Sequence, residues 1–373
     1  MAECCPSTMA PSGGLARLSV EDEAETGWSR ANAAGNVVCP RVFFNPSIDA
    51  IAKFRSDSFN ESKNNHSGVV VSFTSSHLRN FTSNFSHRIG PYHFGEVYHG
   101  TIKIGEKTRS VVVKTWDDNA LYLESLIVPY IFIEEEVMFL KDKMIASHPN
   151  IVKVIGKCCE ENLRAVVYDL DALDTLHHMI PKDDFNWVQR IRVAFKFAQL
   201  LEFLHCQVKP YVVLNLSSEH IMLDKMLNPL LFDFGLLSGG VIGELSDLKR
   251  RVCPPLGYGD PQFLMGGPCL PRCDVYVYGM ILIGIIAKKV VEEKELHNHA
   301  PALDVWANEE YKTGTSLVHK SLQSESGYYT RDALSVTELG MWCIQEYGAD
   351  RPNMTQVVEH LKKLQIVKDL ELE

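Results

Sequence analysis

The sequence predicts an α+β protein of two lobes, a small antiparallel β lobe with one helix and a larger, mainly helical lobe. Between residues 88 and 168, apolar residues mostly alternate and are punctuated by turn residues, apart from one helical segment. After residue 180, apolar residues recur every three or four positions, which is typical of helices. With 373 residues and 46% hydrophobic composition, the chain is long enough to bury a substantial core.

Composition shifts along the chain predict three segments. Residues 1–75 form an N-terminal extension that we expect to be largely disordered, since its first 40 residues are rich in Ala, Ser, Gly and acidic residues without a sustained apolar period. Residues 76–171 form the small lobe, and residues 172–367 form the large lobe. The short run from Val69 to Phe73 is expected to be an extended lead-in.

The small lobe is expected to begin with two strands that flank Gly90 to Gly95, followed by a third strand that ends at Lys114. A single helix from Pro129 to Ala146 comes next, and two further strands run from Val152 to Lys157 and from Leu163 to Tyr168. The helix carries apolar residues at helical spacing, which predicts one continuous buried stripe. This stripe consists of Ile133, Val137, Leu140 and Met144.

The large lobe is expected to contain a long amphipathic helix from Trp187 to His205. The longest apolar run, Val275 to Ile286, is too short to cross a bilayer and is interpreted as a buried central helix. A last helix is expected after Pro352.

Charge and cysteine usage exclude several function classes. A formal net charge of -10 argues against nucleic acid as a partner, because binding to phosphate backbones needs clustered Lys and Arg. The ten cysteines lack a zinc-site spacing. The first residues carry no secretory signal, and Ala2 excludes N-myristoylation. Cys4 and Cys5 are candidates for acylation, with free thiols as the alternative.

Five short motifs occur in a characteristic order. Ile89 to Tyr98 has the outline of a glycine-rich hairpin, Val111 to Lys114 is a strand that ends in lysine, and Glu134 to Val137 lies in the predicted helix. Asp233-Phe234-Gly235 and Asp260-Pro261-Gln262 follow in the large lobe. Each pattern is loosely specified, but five of them in this order are unlikely to occur together by chance.

This order resembles that of protein kinases, and residues from about 81 to 364 are similar to plant receptor-like cytoplasmic kinases. Phe81 to Ser86, His148 to Val152 and Asp350 to Met354 match segments of that family. The chain departs slightly at Cys273, where the family usually has serine.

The resemblance implies a bilobal kinase fold and a set of nucleotide-binding positions. Lys114 would reach the nucleotide phosphates, Glu136 rather than Glu135 would orient Lys114, and Asp233 would bind a magnesium ion. ATP is therefore the candidate cofactor. The remaining candidate positions, which surround the phosphates, the adenine slot and the connector between the lobes, are Ile89, Gly90, Gly95, Val97, Val112, Leu223, Asp169 and Asp171.

The catalytic loop departs from the family at three polar positions. Asn215 stands where the proton-accepting aspartate is expected, and a carboxamide cannot take up a proton near neutral pH. Ser217 replaces the loop lysine, which removes a positive charge that stabilises the transferred phosphoryl group. His220 replaces the asparagine that is the second metal ligand, and imidazole is a poor magnesium ligand, so a filled magnesium site is doubtful.

Three further departures concern the phosphate loop and regulation. Tyr92 replaces the middle glycine of the glycine-rich loop. Leu214 replaces the arginine that would pair with a phosphorylated activation segment. Gln262 replaces the glutamate that would form a buried ion pair with Arg351, so we expect the large lobe to fold without that full charge pair.

These departures favour a catalytically impaired pseudokinase that acts as a scaffold or adaptor in the cytoplasm, with the plasma membrane periphery as an alternative location. By analogy with the family, other kinases or immune receptors are the expected partners. An active serine/threonine kinase is the alternative, since Lys114, Glu136 and Asp233 are retained. A module that binds ATP without turnover is the third hypothesis.

Overall fold

The computed structural model describes residues 70–92, 95–104, 106–116, 127–234, 237–243, 254–291, 302–312 and 314–371. Several predictions lie outside these residues, including the disorder of residues 1–69, the modification of Cys4 and Cys5, and the position of Gly235. The described residues form the α+β, two-lobed arrangement that the sequence predicts, which confirms the fold class.

The small lobe is built on a six-stranded sheet. Its strands are β1 (Val71–Ser72), β2 (Arg88–Tyr92), β3 (Gly95–Ile104), β4 (Lys107–Trp116), β5 (Lys153–Glu160) and β6 (Leu163–Asp169), in the spatial order β1-β5-β6-β4-β3-β2. All neighbours are antiparallel except β1, which adds to the edge of β5 in parallel. The lead-in predicted from Val69 to Phe73 therefore contributes an edge strand.

Two apolar layers cover this sheet. Helix α1 (Ser75–Phe81) begins at Thr74, whose side chain caps it, and packs Leu78 on the outer face together with Val111 and Val113. Helix α2 (Ile127–Lys141) covers the inner face, where Ile133 and Leu140 join the main core. The inner layer is continuous with the core of the large lobe.

The predicted single helix from Pro129 to Ala146 is wrong in one respect, because the segment is divided. Helix α2 ends at Lys141, and helix α3 (Lys143–Ser147) starts anew with Asp142 as its N-cap. The Asp142 carboxylate accepts hydrogen bonds from the backbone N–H groups of the first turn, and such a cap favours a new start. Met144 is consequently 56% exposed, and Ile145 takes the buried position.

The large lobe contains a small sheet, a two-stranded pair and eight of the helices described. Strands β7 (Ala172–Thr175), β9 (Ile221–Asp224) and β10 (Pro229–Leu231) form the sheet, and β8 (Tyr211–Val213) pairs with β11 (Leu237–Gly239). The helices are α4 (Leu176–Met179), α5 (Trp187–His205), α6 (Pro261–Leu264), α7 (Pro271–Ala287), α8 (Leu303–Glu310), α9 (Thr330–Cys343), α10 (Met354–Leu361) and α11 (Gln365–Glu371).

Helices α5 and α7 form the centre of this lobe. Helix α5 has the predicted bounds, and its start is fixed by a capping box between Asn186 and Gln189. Helix α7 is buried along nearly its whole length, as predicted for the longest apolar run. It packs closely on α9, since a Cβ placed on Gly279 would lie 2.6 Å from that of Cys343. No helix among the described residues combines the length and apolar character needed to cross a bilayer.

The predicted loss of the Arg351 charge pair is corrected by the structure. The guanidinium of Arg351 donates two hydrogen bonds of 2.8 Å to the two carboxylate oxygens of Asp260. Gln262 instead accepts a hydrogen bond of 2.7 Å from the backbone N–H of Gly348. The carboxylate that pairs with Arg351 therefore lies two residues earlier in the chain than in the family. The buried ion pair is retained.

Candidate nucleotide and catalytic site

The candidate site lies between the lobes, and four separate segments supply its side chains. Lys114 comes from β4, Glu136 from α2, Asn215 from the loop after β8, and Asp233 from the segment after β10. All four side chains are completely buried. Residues that are far apart in sequence thus form one water-excluded cluster.

The ammonium group of Lys114 is held by two carboxylates. Its Nζ lies 2.5 Å from Glu136 Oε2 and 2.9 Å from Asp233 Oδ1. The same nitrogen lies 4.4 Å from the centroid of the Trp116 ring, a distance typical of a cation–π contact. A lysine on a flexible stem is thereby fixed in one orientation.

The pKa of Glu136 is raised in this cluster. Burial raises its pKa to about 7, with the Asp233 charge acting in the same direction and Lys114 opposing both. The hydroxyl of Tyr168 contacts Glu136 Oε1 and lies 2.8 Å from the carbonyl oxygen of Phe232. Tyr168 joins β6 to this cluster, a role that the sequence analysis did not predict.

The Asn215 amide is bound to the predicted metal ligand. Its Nδ2 donates a hydrogen bond to Asp233 Oδ2, while Oδ1 is buried without a partner in the described part of the chain. The amide orientation follows from this contact, because Oδ1 facing the carboxylate would be repelled. The cluster offers a hydroxyl substrate no free carboxylate at this position.

The other two altered loop residues are used within the loop. Ser217 is buried, and its Oγ accepts a hydrogen bond from Glu219 N, which caps the 3-10 helix Ser218–His220. His220 Nδ1 donates a hydrogen bond to the backbone carbonyl of Asn215 and lies 3.6 Å from Asp233 Oδ2. Both side chains stabilise the loop conformation.

The apolar residues of the predicted adenine slot are buried. Val97 is 2% exposed, Val112 and Leu223 are fully buried, and all three belong to the main core cluster with Ile89. Gly90 is buried as well, and a Cβ placed on it would lie 3.8 Å from Cε1 of His178. Strand β2 also approaches the 3-10 helix of the catalytic loop, with Cα separations of 8 Å or less.

The remaining predicted positions contact other parts of the protein. Asp169 forms an ion pair with Arg109, and Asp171 forms one with Lys225 at 2.6 Å. Gly95 begins β3, where it pairs with Tyr92 and Trp116. The side chain of Tyr92 lies outside the described part of the structure. The carboxylates of Asp169 and Asp171 thus pair with basic side chains from other segments of the chain.

A magnesium nucleotide does not fit the residues in this arrangement. Each oxygen of Asp233 accepts a hydrogen bond from a protein donor, and His220 Nδ1 is engaged with a carbonyl group. Among the described residues, no group of three or more His, Cys, Asp or Glu is arranged to hold a metal ion. The apolar residues predicted to contact adenine are buried in the core.

A second polar network, which the sequence analysis missed, joins the catalytic loop to two other segments. Ser218 Oγ lies 3.1 Å from His177 Nδ1 and 2.9 Å from Tyr258 Oη, and all three residues are buried. Asp274, at the start of α7, accepts a hydrogen bond of 2.7 Å from Val213 N immediately before the loop. His177, Tyr258 and Asp274 therefore hold the loop in place. These partners are distant in sequence and can be identified only from the spatial contacts.

The raised pKa of Glu136 predicts a pH-dependent stability. Between the ordinary value of 4.5 and about 7, the folded protein holds a proton that the unfolded chain releases, so stability falls as the pH rises through this window. We expect Glu136→Gln to remove a decrease on the order of 2–3 kcal/mol between pH 5 and pH 8. Urea unfolding at several pH values measures this slope.

The exposed substitution Glu161→Gln is the control for the loss of one carboxylate, and we expect it to retain the wild-type slope. Burial also raises the pKa of Asp274, which contributes a decrease of the same sign to all three proteins. Equal slopes for wild type and Glu136→Gln would contradict the burial of an ionisable group at this position.

Comparison of the sequence with known proteins identifies a family. Residues 83–361 match the family model of the protein tyrosine and serine/threonine kinases. The chain is 31% identical over 320 residues to the probable serine/threonine-protein kinase PBL16 of Arabidopsis thaliana. The aligned region covers 80% of this chain and 74% of the relative.

Two further relatives are similar at the same level. The serine/threonine-protein kinase PBS1 of Arabidopsis thaliana is 30% identical over 74% of this chain and 60% of its own length. The EPD1-interacting receptor-like cytoplasmic serine/threonine-protein kinase of Nicotiana benthamiana is 31% identical over 80% of this chain and 65% of its own length.

Proposed function

Since the chain belongs to the protein tyrosine and serine/threonine kinase family, we propose that it is a catalytically impaired signalling protein, a pseudokinase that acts as a scaffold or adaptor. The observation that carries this proposal is the hydrogen bond from the Asn215 amide to Asp233. At the position of the proton acceptor, the chain has a group that donates to the predicted metal ligand. Hydroxyl activation and metal binding are thereby impaired together.

The expected loss of rate is large. General-base assistance contributes roughly a hundredfold to ten-thousandfold, and one electrostatic stabiliser contributes about as much. Asn215 lacks the first contribution and Ser217 lacks the second. The two effects act within one catalytic unit and do not simply multiply, but together they lower the rate of phosphoryl transfer by several orders of magnitude.

An active serine/threonine kinase is the second candidate. The 2.5 Å contact between Lys114 Nζ and Glu136 favours it, because active kinases need this ion pair. Phosphoryl transfer by the purified protein distinguishes the two candidates. A module that binds ATP without turnover is the third, since kinase domains in general bind ATP; a saturable rise in melting temperature with ATP would support it.

Other kinases or immune receptors are the proposed partners, and the cytoplasm or the periphery of the plasma membrane is the proposed location. One relative carries the name of a receptor-like cytoplasmic kinase that interacts with EPD1, which supports a signalling context for such domains. Defence signalling is carried over from the resemblance to this group and rests on it alone.

Affinity capture from plant tissue with the full-length chain tests the adaptor role. We expect kinases or immune receptors to be retained, and to stay bound after apyrase has removed ATP, because the proposed role needs no turnover. The control is Asp260→Ala, which we expect to be destabilised because it removes the buried ion pair with Arg351. Proteins that bind equally to this variant recognise unfolded chains and are discounted. Recovery of neither partner class, or loss of both with ATP, would contradict the proposal.

A further inference from the structure

Asp233 is held from both lobes by donors of the protein itself. Lys114, on the small-lobe sheet, lies 2.9 Å from Oδ1, and the Asn215 amide, on the large-lobe loop, donates to Oδ2. All three side chains are completely buried. One carboxylate thus accepts hydrogen bonds from both sides of the cleft.

The residue type at position 215 decides whether this connection needs a cation. A carboxylate at hydrogen-bond distance from Asp233 would place two negative charges together in a water-excluded site, where they repel strongly. The Asn215 amide has nearly the same shape, but it presents an N–H donor to Asp233. The substitution converts a repulsive contact into a hydrogen bond.

The loop around Asn215 is fixed in the same arrangement. His220 Nδ1 donates to the Asn215 carbonyl group, so the imidazole holds the backbone of the residue that binds Asp233. Ser217 caps the next turn, and Ser218 is bound to His177 and Tyr258. The closed cluster therefore has support on the large-lobe side.

The adenine side of the cleft is lined by buried apolar residues. Val97, Val112 and Leu223 pack together in the core, and Gly90 approaches His178 of helix α4. Entry of an adenine ring would require these apolar side chains to separate, and separation would expose their surface to water. Two observations, one polar and one apolar, thus agree on a closed cleft.

We propose that the cleft is locked by the protein's own side chains in a form that excludes magnesium nucleotides, with Asn215 as the positioning residue that makes the lock independent of a cation. The arrangement of the two lobes is then set without ATP. The exclusion of nucleotide stands on the geometry alone. The consequence that partners meet the same surface with and without ATP rests on the proposed scaffold function.

Thermal unfolding of the full-length protein tests the lock, with magnesium chloride and magnesium ATP as the probes. For the wild type we expect a change in melting temperature of less than about 1 °C with either probe at millimolar concentration. We expect Asn215→Asp to melt roughly 5 °C lower without a divalent cation, and magnesium alone to restore more than half of this loss, because a cation neutralises the two carboxylates.

The matched control is Asn353→Asp, the same chemical change at an exposed helix N-cap, where Asn and Asp are nearly equivalent. This variant should show neither the loss nor the magnesium response. An Asn215→Asp variant that is as stable as the wild type and insensitive to magnesium would overturn the role of Asn215.

Binding of a fluorescent ATP analogue to the wild type decides the question without any variant. Absence of saturable binding at millimolar analogue, with magnesium present, is the expected result. Saturable binding that unlabelled ATP displaces would overturn the lock even if Asn215→Asp fails to fold. Binding without phosphoryl transfer would leave the scaffold function in place, whereas transfer by the wild type would remove the scaffold function itself.

Discussion

Replacing Asp260 with alanine is expected to lower the free energy of unfolding by about 3–5 kcal/mol, because it leaves the buried guanidinium of Arg351 without its counter-charge. Asp260 is 4% exposed and Arg351 is 2% exposed, so water cannot replace the lost carboxylate. The two parallel hydrogen bonds of 2.8 Å form a bidentate pair, the strongest geometry for this interaction.

The remaining contacts of Arg351 make the loss larger. Its guanidinium also donates to the backbone carbonyl groups of Arg272, Gln345 and Glu346, and it lies 4.9 Å from the centroid of the Tyr276 ring. The side chain therefore cannot swing out to solvent without breaking contacts to three segments. An uncompensated charge would stay buried.

Two substitutions serve as controls in the same urea unfolding experiment. Asp171→Ala removes an exposed ion pair with Lys225 and should change stability by no more than about 1 kcal/mol. Gln262→Glu restores the residue that the family has and should also have a small effect, because Arg351 already has Asp260. A gain of several kcal/mol for Gln262→Glu would show that the Asp260 pair does not replace the expected one.

The order of motifs is sufficient to predict the lobes, since the first three motifs belong to the small lobe and the last two to the large lobe. Helix α5 was predicted with its correct bounds because its apolar period and its capping residues agree. The division between α2 and α3 was missed because the apolar period continues through it. Asp142, a favourable N-cap residue, was the local signal that could have revealed it.

The contacts within the site were harder to predict, because they join residues distant in sequence. The positions of Lys114, Glu136 and Asp233 followed from their motifs, and the structure brings them within hydrogen-bond distance. The substitution at position 215 was visible in the sequence. That its amide would bind Asp233, and that Tyr168 would reach Glu136, depends on how four segments pack.

The partner of Arg351 is a second example. Asp260 has the role that the family assigns to the residue at position 262. The sequence lacks the usual partner of Arg351 at position 262, and it has a carboxylate two residues earlier, at Asp260. A buried arginine requires a counter-charge, and this physical requirement pointed to a replacement nearby. The same requirement predicts the ion pair between Asp260 and Arg351.

Phosphoryl transfer is expected to be near background for the purified protein, a reduction of roughly a hundredfold to ten-thousandfold or more relative to an intact catalytic loop. Three features of the cleft combine to produce this result. No carboxylate is free to accept the hydroxyl proton at position 215, no lysine stands at position 217, and Asp233 is engaged by Lys114 and Asn215.

Control variants separate intrinsic activity from contamination. Lys114→Met removes the phosphate-positioning lysine, and Asp233→Asn removes the metal-binding charge. If traces of another kinase cause the background, both variants show the same counts as the wild type. Circular dichroism establishes that each variant is folded, and the serine/threonine-protein kinase PBS1 serves as the comparison protein.

The most direct measurement is the rate of transfer from radiolabelled ATP with magnesium, compared between the wild type and Lys114→Met. The account predicts the same background rate for both proteins, since Asn215 cannot accept the hydroxyl proton. A steady rate for homogeneous wild-type protein that Lys114→Met abolishes would contradict it.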